Sequence, residues 1–439
     1  MNEMYYPLSE VMGGHILDEL HTLNGNVRAI ADKEGTPPKR YGFRVNLSDS
    51  NPDTRVEYLY DAIGMEPAFM DYTNSKFEYG DWKDIWFVKN NFPCMVTNEG
   101  FVDYKLDPTD YSIKEDGTDS DVANTSYNGN AMSAVPLCYV KRYTANGYRY
   151  IIFCESKYDD DYKAYAHTRK DGTVMPYAFY PIYKGSMVSS KLRSLSGQRP
   201  SQSTTASTEY SAAKANGSAW GIRPWMADEL IADLLVLMSK STNCQAKYGQ
   251  GHTTGGSSAS SLLDTGTLDD KGQFFGYSGT TSQVKVFHME GFWGDRWDRE
   301  TGFILDSGKI YVKPTPEGAG YNFTGTGYTE VSDVNICTSN GYVTTMVGNE
   351  YGSFPTAVGG SDATYECDYY YVNTSGVRVA LRGSNCNNGA NCGRYVNVNN
   401  DASNANWNIG ASVYLIQTHI DYRSINVTLF PQHLLKINL

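Results

Sequence analysis

Strongly basic stretches are missing from this chain. Lys and Arg number 37 against 49 Asp and Glu, giving a formal net charge of −12 with no Lys/Arg block. A phosphate backbone needs a cationic footprint, so no nucleic-acid partner is expected. Long apolar runs are missing too. The most apolar stretch, Leu230 to Met238, is short and contains Asp233, so membrane insertion is not expected. The opening Met1-Asn-Glu-Met-Tyr-Tyr lacks a basic region followed by an apolar one, which predicts no secretion signal and reduced thiols. The eight cysteines form no CxxC pair, which argues against a zinc ribbon, and no HExxH spacing occurs among the seven histidines. Asp116 to Asp121 does not keep the spacing of an EF-hand loop, and Tyr158-Asp-Asp-Asp-Tyr162 reads as a solvated turn. No cofactor and no catalytic residue is expected.

Asparagine is abundant in one place. Ten of the 24 residues from Asn385 to Asn408 are Asn, interleaved with Gly, Ala, Val, Cys and one Trp. The Asn amide competes with the backbone for hydrogen bonds, so Asn is poor in helices and depleted from strands. Such a run is either a solvated, prion-like tract or a folded scaffold displaying amides. The strand-like Trp407-Asn-Ile-Gly-Ala-Ser-Val-Tyr-Leu415 that ends it favours the scaffold. Tyr is heavily used, 35 residues, and Gly reaches 42. Both suit a β-rich fold with long loops, and Tyr suits binding surfaces.

Three regions follow from the pattern along the chain. Residues 1–35 are predicted helical, with Ile16, Leu20, Leu23, Val27 and Ile30 spaced as a short heptad seam. Residues 36–130 are predicted to form a small β-rich attachment domain, with Ile85–Val88 and Pro93–Val96 as strands. From 131 on, Val135–Lys141 and Tyr148–Cys154 flank Asn146-Gly147, a hairpin signal. Residues 195–220 are expected to be a surface loop. A helix is predicted from Trp225 to about Lys240, with Leu230, Ile231, Leu234, Leu235 and Met238 on one face. One helix among many short strands and long loops gives an α+β expectation.

Three blocks carry a resemblance. His288-Met-Glu-Gly-Phe-Trp-Gly-Asp-Arg-Trp-Asp298, Val379-Ala-Leu-Arg-Gly-Ser384 and Trp407-Asn-Ile-Gly-Ala-Ser412 resemble motifs of the formylglycine-generating-enzyme-like branch of the C-type lectin fold. With an Asn-rich run between the last two, residues of roughly 130–415 resemble the variable proteins of diversity-generating retroelements, a family that includes the major tropism determinants of phage tail-fibre tips. The resemblance implies a C-type lectin-like ligand-binding domain over 131–439, with a variable region at about 384–408. In that family a reverse transcriptase randomises adenines, and Asn codons are favoured targets. Ser384, Asn385, Asn387, Asn388, Asn391, Arg394, Tyr395, Asn397, Asn399, Asn400, Asn404 and Asn406 are therefore the expected ligand-binding, variable positions.

The implied function is receptor binding: a homotrimer on a virion tail fibre that contacts a host cell-surface protein or glycan and docks to tail components. Multivalent display would raise avidity by roughly 10²–10⁴. Two alternatives stay open. The enzyme branch of the fold binds copper through two cysteines after the corresponding Arg-Gly block, where this chain has Cys386 and Cys392. The chain could otherwise be a fixed structural virion protein. The segment Gln417–Leu439 has no reading.

Overall fold

Asn146 and Gly147 take φ of 52° and 78°. These left-handed values match a tight two-residue turn whose twist suits the strands it joins. Those strands, Tyr139–Ala145 and Tyr148–Cys154, pair in register from Tyr139↔Cys154 to Ala145↔Tyr148. The hairpin is as predicted. Its cross-strand pair Tyr143 and Tyr150 stacks with ring centroids 4.5 Å apart, which accounts for part of the tyrosine usage.

The computed structural model describes residues 37–415. Strand makes up 35% and helix 12%, and the sheets stand in a four-bladed, propeller-like arrangement. The first sheet orders Val56–Tyr60, Arg40–Asn46, Tyr148–Cys154 and Tyr139–Ala145. A six-stranded second sheet orders Trp220–Ile222, Val413–Leu415, Tyr177–Pro181, Gly129–Pro136, Phe92–Thr97 and Val102–Lys105. A third is built on the long strand Trp297–Asp306. Lys309–Val312 and the parallel strand Ile409–Ala411 lie on it, as does Val377–Arg382, which pairs onward with Val396–Asn400. The fourth joins Gly352–Val358, Gly341–Asn349 and Tyr369–Tyr370.

This architecture corrects the α+β, C-type lectin-like expectation. That expectation leaned on one conspicuous helix and three short blocks. The helix Trp225–Ser239 does form, after Pro224 and ending at Lys240 in the left-handed region. Every one of its residues is buried, however, so it is a central rod among sheets and not an amphipathic cover with one apolar face. The boundary expected at residue 130 is also crossed. Arg40–Asn46 pairs with Tyr148–Cys154, and Phe92–Thr97 pairs with Gly129–Pro136. The main apolar cluster joins Phe43, Trp82 and Phe87 to Leu230, Leu234, Phe287 and Trp293. Two local expectations fail as well. Trp86–Lys89 is a helical turn, with Trp86 Nε1 donating to the Leu137 carbonyl at 2.9 Å. Within the expected surface loop 195–220, Ala206–Lys214 is a helix capped by the Thr205 hydroxyl. The heptad seam of residues 16–30 and the segment 417–439 lie outside the described residues.

The interior is ionic as well as apolar. Arg382 is fully buried and donates to Glu300 at 2.6 Å and to Glu229 at 2.9 Å, with Asp228 3.7 Å away. Asp298 meets Lys184 at 3.1 Å and Arg223 at 3.4 Å, and is also paired with Arg296. Burial opposes its ionisation, but Lys184, Arg296 and Arg223 prevail and hold the carboxyl well below its ordinary range. Glu366 gathers Arg149 at 3.0 Å, Arg394 at 3.0 Å and Arg55 at 3.5 Å.

Candidate ligand-binding face

The Asn-rich segment is held at its root by two buried arginines. Val377–Arg382 enters it, and Gly383 makes the turn at φ 89°, where a Cβ would lie 2.7 Å from the Phe292 carbonyl. Glycine is needed there by conformation and by space. Arg382 donates to the Arg394 carbonyl at 3.0 Å, tying the outgoing leg to the returning one. Arg394 binds Glu366 and lies 3.4 Å from Asp368, whose carboxylate also accepts the Arg394 backbone N–H at 2.9 Å. Burial pushes the Asp368 carboxyl up to about 6 despite the Arg394 charge beside it. Tyr395, also buried, donates to the Ser353 carbonyl.

Between these anchors the chain forms an exposed tip. Asn387 is exposed, and Asn388 and Asn391 are half-buried. Both Asn388 and Asn391 donate their amides to the Tyr371 hydroxyl at 3.2 Å, while the Tyr342 hydroxyl donates to the Asn391 amide oxygen at 2.9 Å. Tyr369 lies between, 5.0 Å from Tyr342 and 4.6 Å from Tyr371 by ring centroids. All three rings are half-buried. Burial, with Asp362 and the neighbouring tyrosines, pushes the Tyr342 hydroxyl up to about 12, so it remains a proton donor. Amides and tyrosines together present donors, acceptors and rigid ring area without net charge, a composition suited to protein or glycan contact.

The twelve expected positions therefore divide. Ser384, Asn385, Arg394, Tyr395 and Asn397 are buried. Ser384 donates to the Asn391 carbonyl at 3.3 Å, and the amide oxygens of Asn385 and Asn397 accept the N–H groups of Asn387 and Asn399 at 2.7 and 2.8 Å. These five are buried and shape the segment. Asn387 and Asn406 are exposed, and Asn388, Asn391, Asn399, Asn400 and Asn404 are half-buried. Asn388 and Asn391 converge at the tip. Asn399, Asn400 and Asn404 form a separate chain of amide hydrogen bonds. Asn406 lies apart, its carbonyl accepting from the Ser203 N–H at 2.9 Å.

Sequence reasoning did not single out Tyr342, Tyr369 or Tyr371. The run Asp368-Tyr-Tyr-Tyr371 was the available signal, but Tyr342 reaches the tip only through a strand pairing, Tyr342↔Tyr369. The three blocks behind the resemblance do meet: Trp297 pairs with Ile409, and Asp298 with Arg382 and Gly410. Cys386 and Cys392 are both buried and each donates to a backbone carbonyl, Gly256 at 3.6 Å and Gly383 at 3.4 Å. Burial pushes their thiols up to about 11 and about 12. Protonated, engaged thiols are poor metal ligands, since the thiolate is the ligating form. No family model matches the chain, and no curated protein matches it.

Proposed function

We propose that this chain is a receptor- or ligand-binding protein whose recognition face is the Asn387–Asn391 tip with Tyr342, Tyr369 and Tyr371, and that its Asn-rich segment is diversified by retroelement adenine mutagenesis. The observation that carries the reading is the division of labour within one segment. The half-buried amides of Asn388 and Asn391 gather on tyrosine hydroxyls beside the exposed Asn387, while Arg382 and Arg394 fix both legs by buried ion pairs. Side chains at the tip can change without touching those pairs, which separates specificity from stability. On this reading the chain works as a homotrimer at a phage tail-fibre tip, binding a host surface protein or glycan.

The experiment reads the codons of residues 384–408 and the neighbouring DNA. A reverse-transcriptase gene beside a near-copy of this segment, differing at template adenines, supports diversification. Uniform codons for Asn387, Asn388 and Asn391 across isolates, with no such copy, would overturn it in favour of a fixed structural protein. Light scattering on the purified chain tests the assembly, and a strict monomer refutes the trimer.

A further inference from the structure

Beside the tip lies a cleft of about 200 Å³. It is lined by the amide residues Asn243, Gln245 and Gln250 and by the hydroxyl residues Thr253, Thr254 and Thr280. Asp362 also lines it, together with Gly389 and Ala390 of the tip. No Lys, Arg, His or large aliphatic residue lines it. The tip and the fixed wall are joined directly, because Gly389 N–H donates to the Thr253 carbonyl at 2.9 Å, and Thr253 N–H donates to the Thr280 carbonyl at 2.8 Å.

Thr253 supplies the second observation. The residue is only 1% exposed, yet its buried hydroxyl has no hydrogen-bond partner. An orphaned buried hydroxyl destabilises the fold that holds it, so a group that comes and goes from the cleft is its natural partner. The neighbouring hydroxyls of Thr254 and Thr280 already satisfy each other at 2.5 Å.

We infer that this cleft binds one neutral saccharide unit of a host-surface glycan, with the Thr253 hydroxyl as an anchoring contact. The chemistry decides the class. Amides and hydroxyls donate and accept in similar number, which matches a polyhydroxylated ring. A phosphate, sulfate or uronic acid would meet Asp362 and no cation. An apolar ligand would find no greasy wall, and the volume is below that of sites that enclose drug-sized molecules. The walls outside the tip come from residues 243–280 and Asp362, beyond the Asn-rich segment. They would give a fixed subsite next to a changeable one. The inference rests on the reading of the tip as a recognition surface.

The test is saturation-transfer NMR and calorimetry on the full chain with glucose, galactose, mannose and N-acetylglucosamine at about 50 mM, well above the Kd of about 1 mM expected for one small site. At least one neutral sugar is expected to bind and glucuronate to bind more weakly. Thr253→Val should weaken binding at least about tenfold while leaving Tm no lower, because it removes an unsatisfied group and keeps the shape. Ala390→Trp, which fills the mouth from the tip side, should also weaken binding, and the distant Asn406→Ala should not. Absence of binding by every neutral sugar, equal binding of glucuronate, or undiminished binding by Thr253→Val would each overturn the inference. Codon sequencing reads the diversification separately, so uniform codons with intact sugar binding would refute that proposal alone.

Discussion

Replacing Arg382 by Met tests whether the buried ion network anchors the Asn-rich segment. The guanidinium is fully buried, holds Glu300 and Glu229 at 2.6 and 2.9 Å, and sits 4.7 Å from the Trp225 ring centroid. Methionine preserves much of the stem's packing but strands two carboxylates inside the protein. Breaking a buried pair from one side costs about 3–5 kcal/mol, because the remaining charge stays desolvated. Unfolding entropy near 2.1 cal/mol/K per residue converts about 4 kcal/mol into a fall in Tm of roughly 4–5 °C for a cooperative chain of 439 residues.

The sign of the pH dependence is fixed by the same geometry. Burial already raises the Glu229 and Glu300 carboxyls, against the opposing pull of Arg382. Without Arg382 they rise further and take up protons on folding. The variant's penalty should therefore shrink as pH falls and ionisation is no longer demanded. Calorimetry at about pH 8 and about pH 5 measures both quantities. Adding Glu300→Gln should recover at least about 1 kcal/mol, the size of coupling expected between contacting groups. A penalty under about 1 kcal/mol, or one equal at both pH values, would refute the anchoring argument. Hydrogen exchange should quicken first at the Arg394 leg, whose carbonyl loses its donor.

His167 is buried, accepts the Cys138 N–H at 3.3 Å, and is pushed down to about 3 by burial. A depressed histidine stabilises the fold above its unfolded value near 6.5, and the stability is lost as pH falls from there toward about 3. The full effect is on the order of 4–5 kcal/mol. Urea titrations across that window should show the slope, and His167→Gln should flatten it. Native thiol titration with a disulfide reagent should find Cys337 reacting first, because the other seven cysteines are buried. Asn387→Ala and Asn406→Ala should each change stability by no more than about 0.5 kcal/mol, whereas Tyr395→Ala, which empties a buried site, should cost about 3–5 kcal/mol. Equal costs at the three positions would contradict the division between displayed and structural residues.

Local chemistry was legible in the sequence where it was self-sufficient. Asn146-Gly147 specified its hairpin because two positive φ values leave few other residue choices. The Trp225–Ser239 helix was legible because Pro224 and a dense apolar run mark it. Its complete burial was not, since Asp228, Glu229 and Asp233 look like a solvent face until Arg223, Arg382 and Arg142 arrive from elsewhere. Ile85–Val88 misled because four apolar residues read equally as strand or helical turn. The Ala206–Lys214 helix was hidden by Ser and Thr, which cap helices as readily as they fill loops.

The same non-locality explains why the candidate site was only half visible. The Asn run announced that amides would be displayed, but exposure is set by partners far away in the chain. Arg382 meets Glu229 across 153 residues, and Arg149 meets Glu366 across 217. Composition cannot distinguish such an arginine from a surface one. Arg394 and Tyr395 were accordingly read with the variable positions, although Glu366 and Ser353 hold them inside. The Glu290-to-Asp298 block carries the converse lesson. Glu290 accepts the Gly266 and Leu268 N–H groups at 3.1 and 3.0 Å, and Asp295 holds His252 at 2.7 Å and the Leu263 N–H at 2.9 Å. Charges that look like a functional motif tie the loops 252–268 to the strands behind them. On the proposed reading, a segment that varies its tip would act on a backbone held by such a frame, since the Glu290 and Asp295 bonds involve none of the tip side chains.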